Sequence, residues 1–211
     1  MMRALSLVVL LGLAGCQSAY YATMEKFGIE KRDILVDRVE EAKDAQQDAQ
    51  QQFSSALEEF STLINFDGGE LQTVYDNLND QYEASKASAE RVSARIDKVE
   101  SVAGALFDEW QDELEKYSND RLRRDSQQKL ADTRRRYDTL LRSMRRAESK
   151  MATVLSALQD NVLYLKHNLN ASAIGALQGE FGGIKRDVDQ LIKDMNKAIA
   201  ESTAFINAMQ N

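Results

Sequence analysis

Apolar residues recur at alternating spacings of three and four through most of the chain, and residues 19–65 show the pattern first. One row of positions is spaced by seven, and a second row falls four positions after it. The two rows consist of Leu35, Ala42, Ala49, Ala56 and Leu63, and of Val39, Gln46, Phe53 and Phe60. This alternation places both rows on one face of a helix and is typical of coiled coils. The segment therefore predicts one long helix with an apolar seam.

Three further segments keep the same period, at about residues 70–117, 121–168 and 171–209. Their seams include the large side chains Trp110, Tyr117 and Phe205, for which the pattern predicts core positions. Residues that favour turns and caps separate the segments, at 65–69, 118–120 and 168–170. At 118–120 the alternative is a single helix that continues or bends through this point, and a turn is the favoured interpretation.

The four segments predict an all-α protein with one domain over residues 19–211, folded as an elongated antiparallel four-helix bundle or coiled coil. Short connections favour antiparallel neighbours. The chain has 0 prolines, although proline makes up about 5% of an average protein. Proline breaks helix interiors, so its absence favours long uninterrupted helices. The alternative is a more open coiled coil whose fourth helix closes another chain, which implies self-association.

Charge is divided unevenly along the chain. Residues 17–119 hold 10 Lys and Arg against 23 Asp and Glu, whereas residues 121–150 hold 11 against 4. Folding the chain back near Asn119 is expected to bring the carboxylates of residues 108–115 beside four basic residues, Arg121, Arg123, Arg124 and Lys129. The formal net charge of −7 argues against nucleic acid as a partner.

The N-terminus reads as an export signal. Arg3 precedes an apolar run over residues 4–14, which is shorter than the roughly 20 residues that a spanning helix needs. The run ends in Leu13-Ala14-Gly15-Cys16, which resembles the lipobox of bacterial lipoproteins. The alternative is an ordinary cleaved signal with an incidental cysteine. Cys16 is the 1 cysteine in the chain, so no disulfide is expected.

The lipobox resemblance implies a cleaved signal peptide over residues 1–15, a Cys16 that carries lipid, and a tether of residues 16–18. The protein would then be anchored in the bacterial cell envelope by several acyl chains, which hold far more firmly than one. Position 17 is Gln rather than the Asp that retains enterobacterial lipoproteins at the inner membrane. We therefore expect the outer membrane, with the protein facing the periplasm.

A cluster of arginines is the main candidate binding face, formed by Arg134, Arg135, Arg136, Arg142, Arg145 and Arg146. Guanidinium groups suit lipid head groups, lipopolysaccharide phosphates or an acidic protein. The alternative is a solvated face that balances the acidic first half. Consecutive arginines point about 100° apart on a helix, so Arg134, Arg135 and Arg136 cannot all line one groove.

Motifs for catalysis, cofactors and metals are absent from the sequence. His167 is the 1 histidine and lies near a predicted helix end, where a cation is favoured. Gly175, Gly179 and the pair 182–183 are expected to allow close packing of the fourth helix, or only to weaken it. We expect no enzyme, no cofactor and no metal site.

The segments Glu25-Lys26-Phe27-Gly28 and Val162-Leu163-Tyr164-Leu165-Lys166-His167-Asn168-Leu169-Asn170 resemble a family of exported proteobacterial proteins known only as a domain of unknown function. The resemblance implies a shared helical fold, and it assigns no activity, substrate or site. The leading expectation is a structural or interaction protein with a protein partner in the envelope. The alternatives are a membrane-stress or lipid-handling protein with amphipathic helices, and a regulator of a periplasmic enzyme that acts through the loop near Phe66.

Overall fold

The computed structural model describes residue 28 and residues 30–66, 68 and 70–210. These contain four helices, α1 (Lys31–Ile64), α2 (Leu71–Leu114), α3 (Asp120–His167) and α4 (Ala171–Gln210), and no strand. The predicted signal, Cys16, the tether and residues 19–27 of the first predicted helix lie outside the described residues, as do positions 67 and 69 of the first turn. The prediction of an all-α protein is confirmed.

The helices pack in a cyclic order, because each packs against the next in the chain and α1 also packs against α4. Cross-helix contacts show that neighbours are antiparallel. Lys31 at the start of α1 contacts Glu109 near the end of α2, with 2.8 Å between Nζ and Oε1. Gln178 near the start of α4 donates to the carbonyl oxygen of Ile64 at the end of α1. The fold is therefore an up-down-up-down four-helix bundle in which α1 and α3 occupy diagonal corners.

The core lies along the helix axes and consists of the predicted seams. Phe53, Phe60, Leu140, Met151 and Leu191 are among its fully buried side chains. Burying a side chain of this size contributes about 1.5–3 kcal/mol, so repetition of the seam over many layers holds the helices together. Within the described residues, no helix is both long enough and apolar enough to cross a membrane.

Local capping fixes the turn between α2 and α3. The side chain of Asn119 accepts hydrogen bonds from the backbone N–H groups of Arg121 and Leu122, at 3.0 and 3.2 Å. Asp120 follows in the first turn, and Lys166 and His167 end α3, so charges at both ends complement the helix dipole. The predicted turn at 118–120 and the predicted helix-end position of His167 are confirmed.

Two expected helix limits are wrong. Gly28 has a φ of +77° and Glu30 is extended, so α1 starts at Lys31 instead of continuing from residue 19. A positive φ is a backbone conformation that glycine adopts without cost and that ends helical geometry. α2 ends at Leu114, so Tyr117 lies beyond the helix and is exposed, contrary to its predicted core position.

The glycines of α4 do not mediate close packing. A Cβ added at Gly175 or Gly179 would meet nothing within 4 Å, and both residues are exposed. The close-packing interpretation is wrong at these two positions because they face away from the bundle. The alternative expectation applies to them: these glycines weaken α4, because a glycine loses more backbone entropy on folding than other residues.

We expect Gly175→Ala and Gly179→Ala each to raise the free energy of unfolding by about 0.5–1 kcal/mol, because alanine fits the helical backbone and has fewer unfolded conformations. Urea denaturation of each variant measures this. Gly28→Ala is the matched control and should not stabilise, because its φ is +77°. No gain at either α4 position would show that these glycines are under another constraint.

Candidate interaction surfaces

The predicted arginine face is divided between three surroundings. Arg134 and Arg145 contact α2, Arg135 and Arg136 line a groove against α4, and Arg142 and Arg146 are exposed. The cause is helical rotation, since successive residues point about 100° apart. The six arginines therefore do not form one site.

Arg134 is occupied by α2. Its Nη2 donates to the carbonyl oxygen of Phe107 at 3.2 Å, and its guanidinium carbon lies 5.4 Å from the centre of the Phe107 ring. This combines a hydrogen bond with a cation–π contact. Arg134 is thus part of the α2–α3 interface and is not available as a ligand-binding group.

Arg145 is the centre of a charge network between α2 and α3. Its Nη2 donates to Asp97 at 2.7 Å and to Glu100, and its Nη1 donates to Glu148 at 2.8 Å. Burial alone would lower the pKa of Arg145, but the hydrogen bonds to Glu148, Asp97 and Glu100 outweigh it and raise that pKa above its usual value. The predicted pairing of the carboxylates at 108–115 with the start of α3 is not observed for Arg123 and Lys129. Arg123 pairs instead with Asp120, and Lys129 with Asp125, both inside α3.

Tyr137 joins three helices beside this network. Its ring makes edge contacts with Phe107 on α2 and with Phe205 on α4, at centroid distances of 5.3 and 6.4 Å. Burial, followed by the negative charges of Glu100 and Asp138, raises the pKa of the Tyr137 phenol to about 12. The phenol is therefore neutral in the folded protein over the whole physiological range.

The raised pKa predicts a loss of stability in alkali. The neutral phenol stabilises the fold fully below the ordinary pKa of 10.0, and that contribution is lost as the pH rises from 10.0 to about 12. We expect Tyr137→Phe to remove the last step of tyrosinate absorbance and to flatten the fall of the urea midpoint over this window. Tyr117→Phe, on an exposed tyrosine, should leave that last step in place. An unchanged titration of Tyr137→Phe would contradict the prediction.

Arg135 and Arg136 lie in a groove of about 440 Å³ between α3 and α4. Its other lining residues are Asp132, Thr139, Glu201, Ala204 and Phe205. Arg135 pairs with Asp132, and Glu201 adds a second carboxylate on the opposite wall. Cations and anions therefore nearly balance in this groove, which makes it a poor site for a simple anion.

Five of the exposed arginines of α3 form a surface that shares Arg135 with this groove, and we name it the basic stripe. It consists of Arg121, Arg124, Arg135, Arg142 and Arg146. These positions fall within a narrow sector of the helix and point away from the core. Arg142 donates to Thr139 at 3.2 Å, whereas no described carboxylate lies within ion-pair distance of Arg146.

A second stripe, on α1, was missed by the sequence reasoning. We name it the acidic stripe, and it consists of Asp33, Asp37, Glu40, Asp44 and Asp48, all exposed. The spacing of four, three, four and four was a readable signal, because it keeps these residues on the side of the helix opposite the apolar seam.

Apolar side chains are exposed near the α3–α4 turn, and sequence reasoning did not single them out. Leu163 is 50% exposed, Tyr164 42% and Leu169 38%. Tyr164 also lines a groove of about 400 Å³ between α3 and α4, with Leu177 and Ile184 as apolar neighbours. Leu163 and Tyr164 fall outside the heptad rows, which was the available signal. Exposed apolar side chains at one end of a bundle are candidates for a contact surface.

Potential metal ligands are dispersed over the described residues. No group of three or more His, Cys, Asp or Glu side chains is placed there to hold a metal ion. His167 is exposed at the end of α3. What the described surfaces offer is charge complementarity and apolar contact.

The chain belongs to a family described as "Protein of unknown function (DUF2959)", whose match covers residues 20–209. The expectation of an uncharacterised domain family is confirmed, and the match covers α1 to α3 and all but the last residue of α4. The comparisons found no matching curated protein and no matching solved structure.

Proposed function

We propose that this member of the DUF2959 family is a lipid-anchored structural or interaction protein of the bacterial cell envelope. Cys16 would carry the lipid, and the bundle would stand on the periplasmic side of the outer membrane as a scaffold or spacer without catalytic activity or cofactor. The sequence Leu13-Ala14-Gly15-Cys16 supports the anchor. The helical bundle and its exposed surfaces support the interaction role.

The observation that carries the proposal is the placement of features at opposite ends of the bundle. The chain enters α1 at Lys31, beside Glu109 and therefore beside the α2–α3 turn. The exposed cluster of Leu163, Tyr164 and Leu169 lies near the other end, at the α3–α4 turn. The 48 residues of α3 correspond to about 72 Å, at roughly 1.5 Å per residue. An anchor on Cys16 would hold this apolar cluster well away from the membrane.

The anchor is tested in cells with Cys16→Ala and with globomycin, which blocks removal of lipoprotein signal peptides. We expect the variant to lose lipid labelling and membrane fractionation, and globomycin to accumulate the unprocessed wild-type chain. Ser18→Ala is the matched control and should leave both unchanged. Unchanged processing and fractionation of Cys16→Ala would overturn the anchored part of the proposal.

The interaction role is tested by crosslinking in cells. We expect Leu163→Gln combined with Leu169→Gln to reduce the crosslinks between this protein and its envelope partner. Leu122→Gln is the control, because Leu122 is 53% exposed but lies at the start of α3, at the other end of the bundle. Equal crosslinking by all three proteins would remove the apolar cluster from the interaction.

A further inference from the structure

The acidic and basic stripes cannot neutralise each other within one chain. They lie on α1 and α3, which occupy diagonal corners and are separated by α2 and α4. Each stripe also points away from the core, so the bundle has one acidic edge and one basic edge. Six carboxylates are exposed along this side of α1, counting Glu58, and Arg32 is the one fully exposed cation among the described residues. The half-buried Lys43 pairs with two of the carboxylates, Glu40 at 3.3 Å and Asp44 at 3.7 Å, so the edge keeps a net negative charge.

The acidic stripe lies at the height of the C-terminal part of the basic stripe, from Arg135 to Arg146. Lys31 at the start of α1 contacts Glu109, close to Phe107, which Arg134 contacts, so the earlier arginines of the basic stripe lie beyond the start of α1. Arg95 on α2 contacts Glu41 on α1 at 2.5 Å. Two residues further along α2, Asp97 contacts Arg145 on α3 at 2.7 Å. Glu41 and Arg145 are therefore nearly level, which places Asp44 of the acidic stripe close to the level of Arg146 of the basic stripe.

The directions of the two helices also agree. In an up-down-up-down bundle the first and third helices are parallel, so α1 and α3 ascend in the same sense. When two copies stand side by side in the same orientation, the acidic stripe of one can face the C-terminal part of the basic stripe of the other without any shift in height. Opposite charges at matched heights on two helices select partner and register.

We propose that the partner of the basic stripe is the acidic stripe of a second copy of this chain. The contact uses two different surfaces, so each added copy leaves one acidic and one basic edge free. Such a heterologous contact does not close and generates rows of parallel bundles. The parallel alignment rests on the lipid anchor of the proposed function, whereas the charge complementarity does not.

Anchoring is also what makes weak contacts sufficient. Exposed ion pairs contribute little individually and are screened by salt. Two copies held in one membrane with one orientation meet at a high effective concentration, so several weak pairs act together. The rows are therefore expected at the membrane and should weaken as ionic strength rises.

The test uses the full chain in cells, with one cysteine in each stripe. Gln47→Cys with Ser149→Cys places two exposed thiols at about the same height, one beside each stripe. We expect a bismaleimide to give dimers, trimers and larger species. The control pair, Ala94→Cys with Ala200→Cys, lies on the exposed sides of α2 and α4 and should give no ladder. A result of dimers alone, or a ladder no stronger than the control, would overturn the proposal.

Charge reversal in the same cysteine background separates the contact from misfolding. Arg142→Glu with Arg146→Glu lowers the formal charge of the five-residue basic stripe from +5 to +1, and Asp37→Lys with Asp44→Lys changes that of the five-residue acidic stripe from −5 to −1. Each protein alone should lose the ladder, and co-expression of the two should restore it, because the reversed positions of the two proteins again carry opposite charges. Lys193→Glu with Lys197→Glu on α4 carries the same charge change and should keep the ladder. A ladder that survives either reversal, or reversed proteins that do not pair, would contradict the proposal.

Membrane fractionation of the same cells distinguishes the two proposals. Membrane-bound protein without a ladder overturns the row and leaves the anchor intact. A ladder formed by protein outside the membrane fraction supports the contact and overturns the anchor. Salt added to isolated membranes before crosslinking should weaken the ladder that the bismaleimide then gives. A ladder independent of salt would contradict an electrostatic contact.

Discussion

Replacement of Arg145 by methionine is expected to lower the free energy of unfolding by about 3 kcal/mol, because one guanidinium holds three carboxylates from two helices. Methionine keeps the unbranched aliphatic part of the side chain but removes the guanidinium and its charge. Asp97, Glu100 and Glu148 then face one another without a cation. Arg145 is about one-third exposed, so each hydrogen bond is assigned only about 1 kcal/mol.

Arg146→Met is the matched control. It removes the same charge one residue away, from an exposed side chain without an ion pair to a described residue. Its effect should stay within about 0.5 kcal/mol. Urea denaturation of the full chain measures both variants, and equal effects would show that the α2–α3 network does not act as a unit.

Arg145→Lys should recover only a minor part of the loss. The two ends of the guanidinium reach in different directions, Nη1 to Glu148 on α3 and Nη2 to the carboxylates of α2. A single ammonium cannot occupy both positions, since lysine is a point charge rather than a planar fork. A lysine variant as stable as the wild type would mean that charge alone, without this geometry, supports the interface.

The sequence was sufficient for the helices and for most of the core. Seven-residue spacing placed Leu35, Phe53 and Leu158 on inward faces, and all three are buried. This works because the apolar face of a helix is determined by spacing alone. The limits of the helices were harder to predict from the sequence. The positive φ of Gly28 and the end of α2 at Leu114 depend on local backbone conformation, which leaves a weaker sequence signal than the apolar period.

The fate of each arginine was beyond the sequence. Arg134, Arg135 and Arg136 are identical in type and adjacent, yet one contacts Phe107 and the next two line a groove with α4. Which neighbour a side chain of α3 meets depends on how α3 is rotated against α2 and α4. The apolar period shows which face of α3 is buried, but it does not show which residues of α2 and α4 lie opposite each arginine. The diagonal placement of α1 and α3 likewise became known only from the order in which the four helices pack around the core.

The seam of α1 contains one polar residue, and its replacement should stabilise the protein. Gln46 is fully buried, and neither its Nε2 nor its Oε1 has a hydrogen-bond partner among the described residues. A buried amide without partners costs about 1–3 kcal/mol. Leucine has a similar volume and no polar atom, so we expect Gln46→Leu to raise the free energy of unfolding by about 2 kcal/mol.

Gln47→Leu is the control, because Gln47 is the exposed neighbour and the same exchange there should change stability by less than about 0.5 kcal/mol. Urea denaturation compares both variants with the wild type. A loss of stability in Gln46→Leu would contradict the prediction and would show that the amide is held by bonds in solution. A gain in stability would fit a role for Gln46 in selecting one pairing register over others. A polar residue in a helical seam provides this selection at a cost in stability. A single register keeps the acidic stripe level with the C-terminal part of the basic stripe, so stability given up in the core of α1 would serve the surface of the bundle.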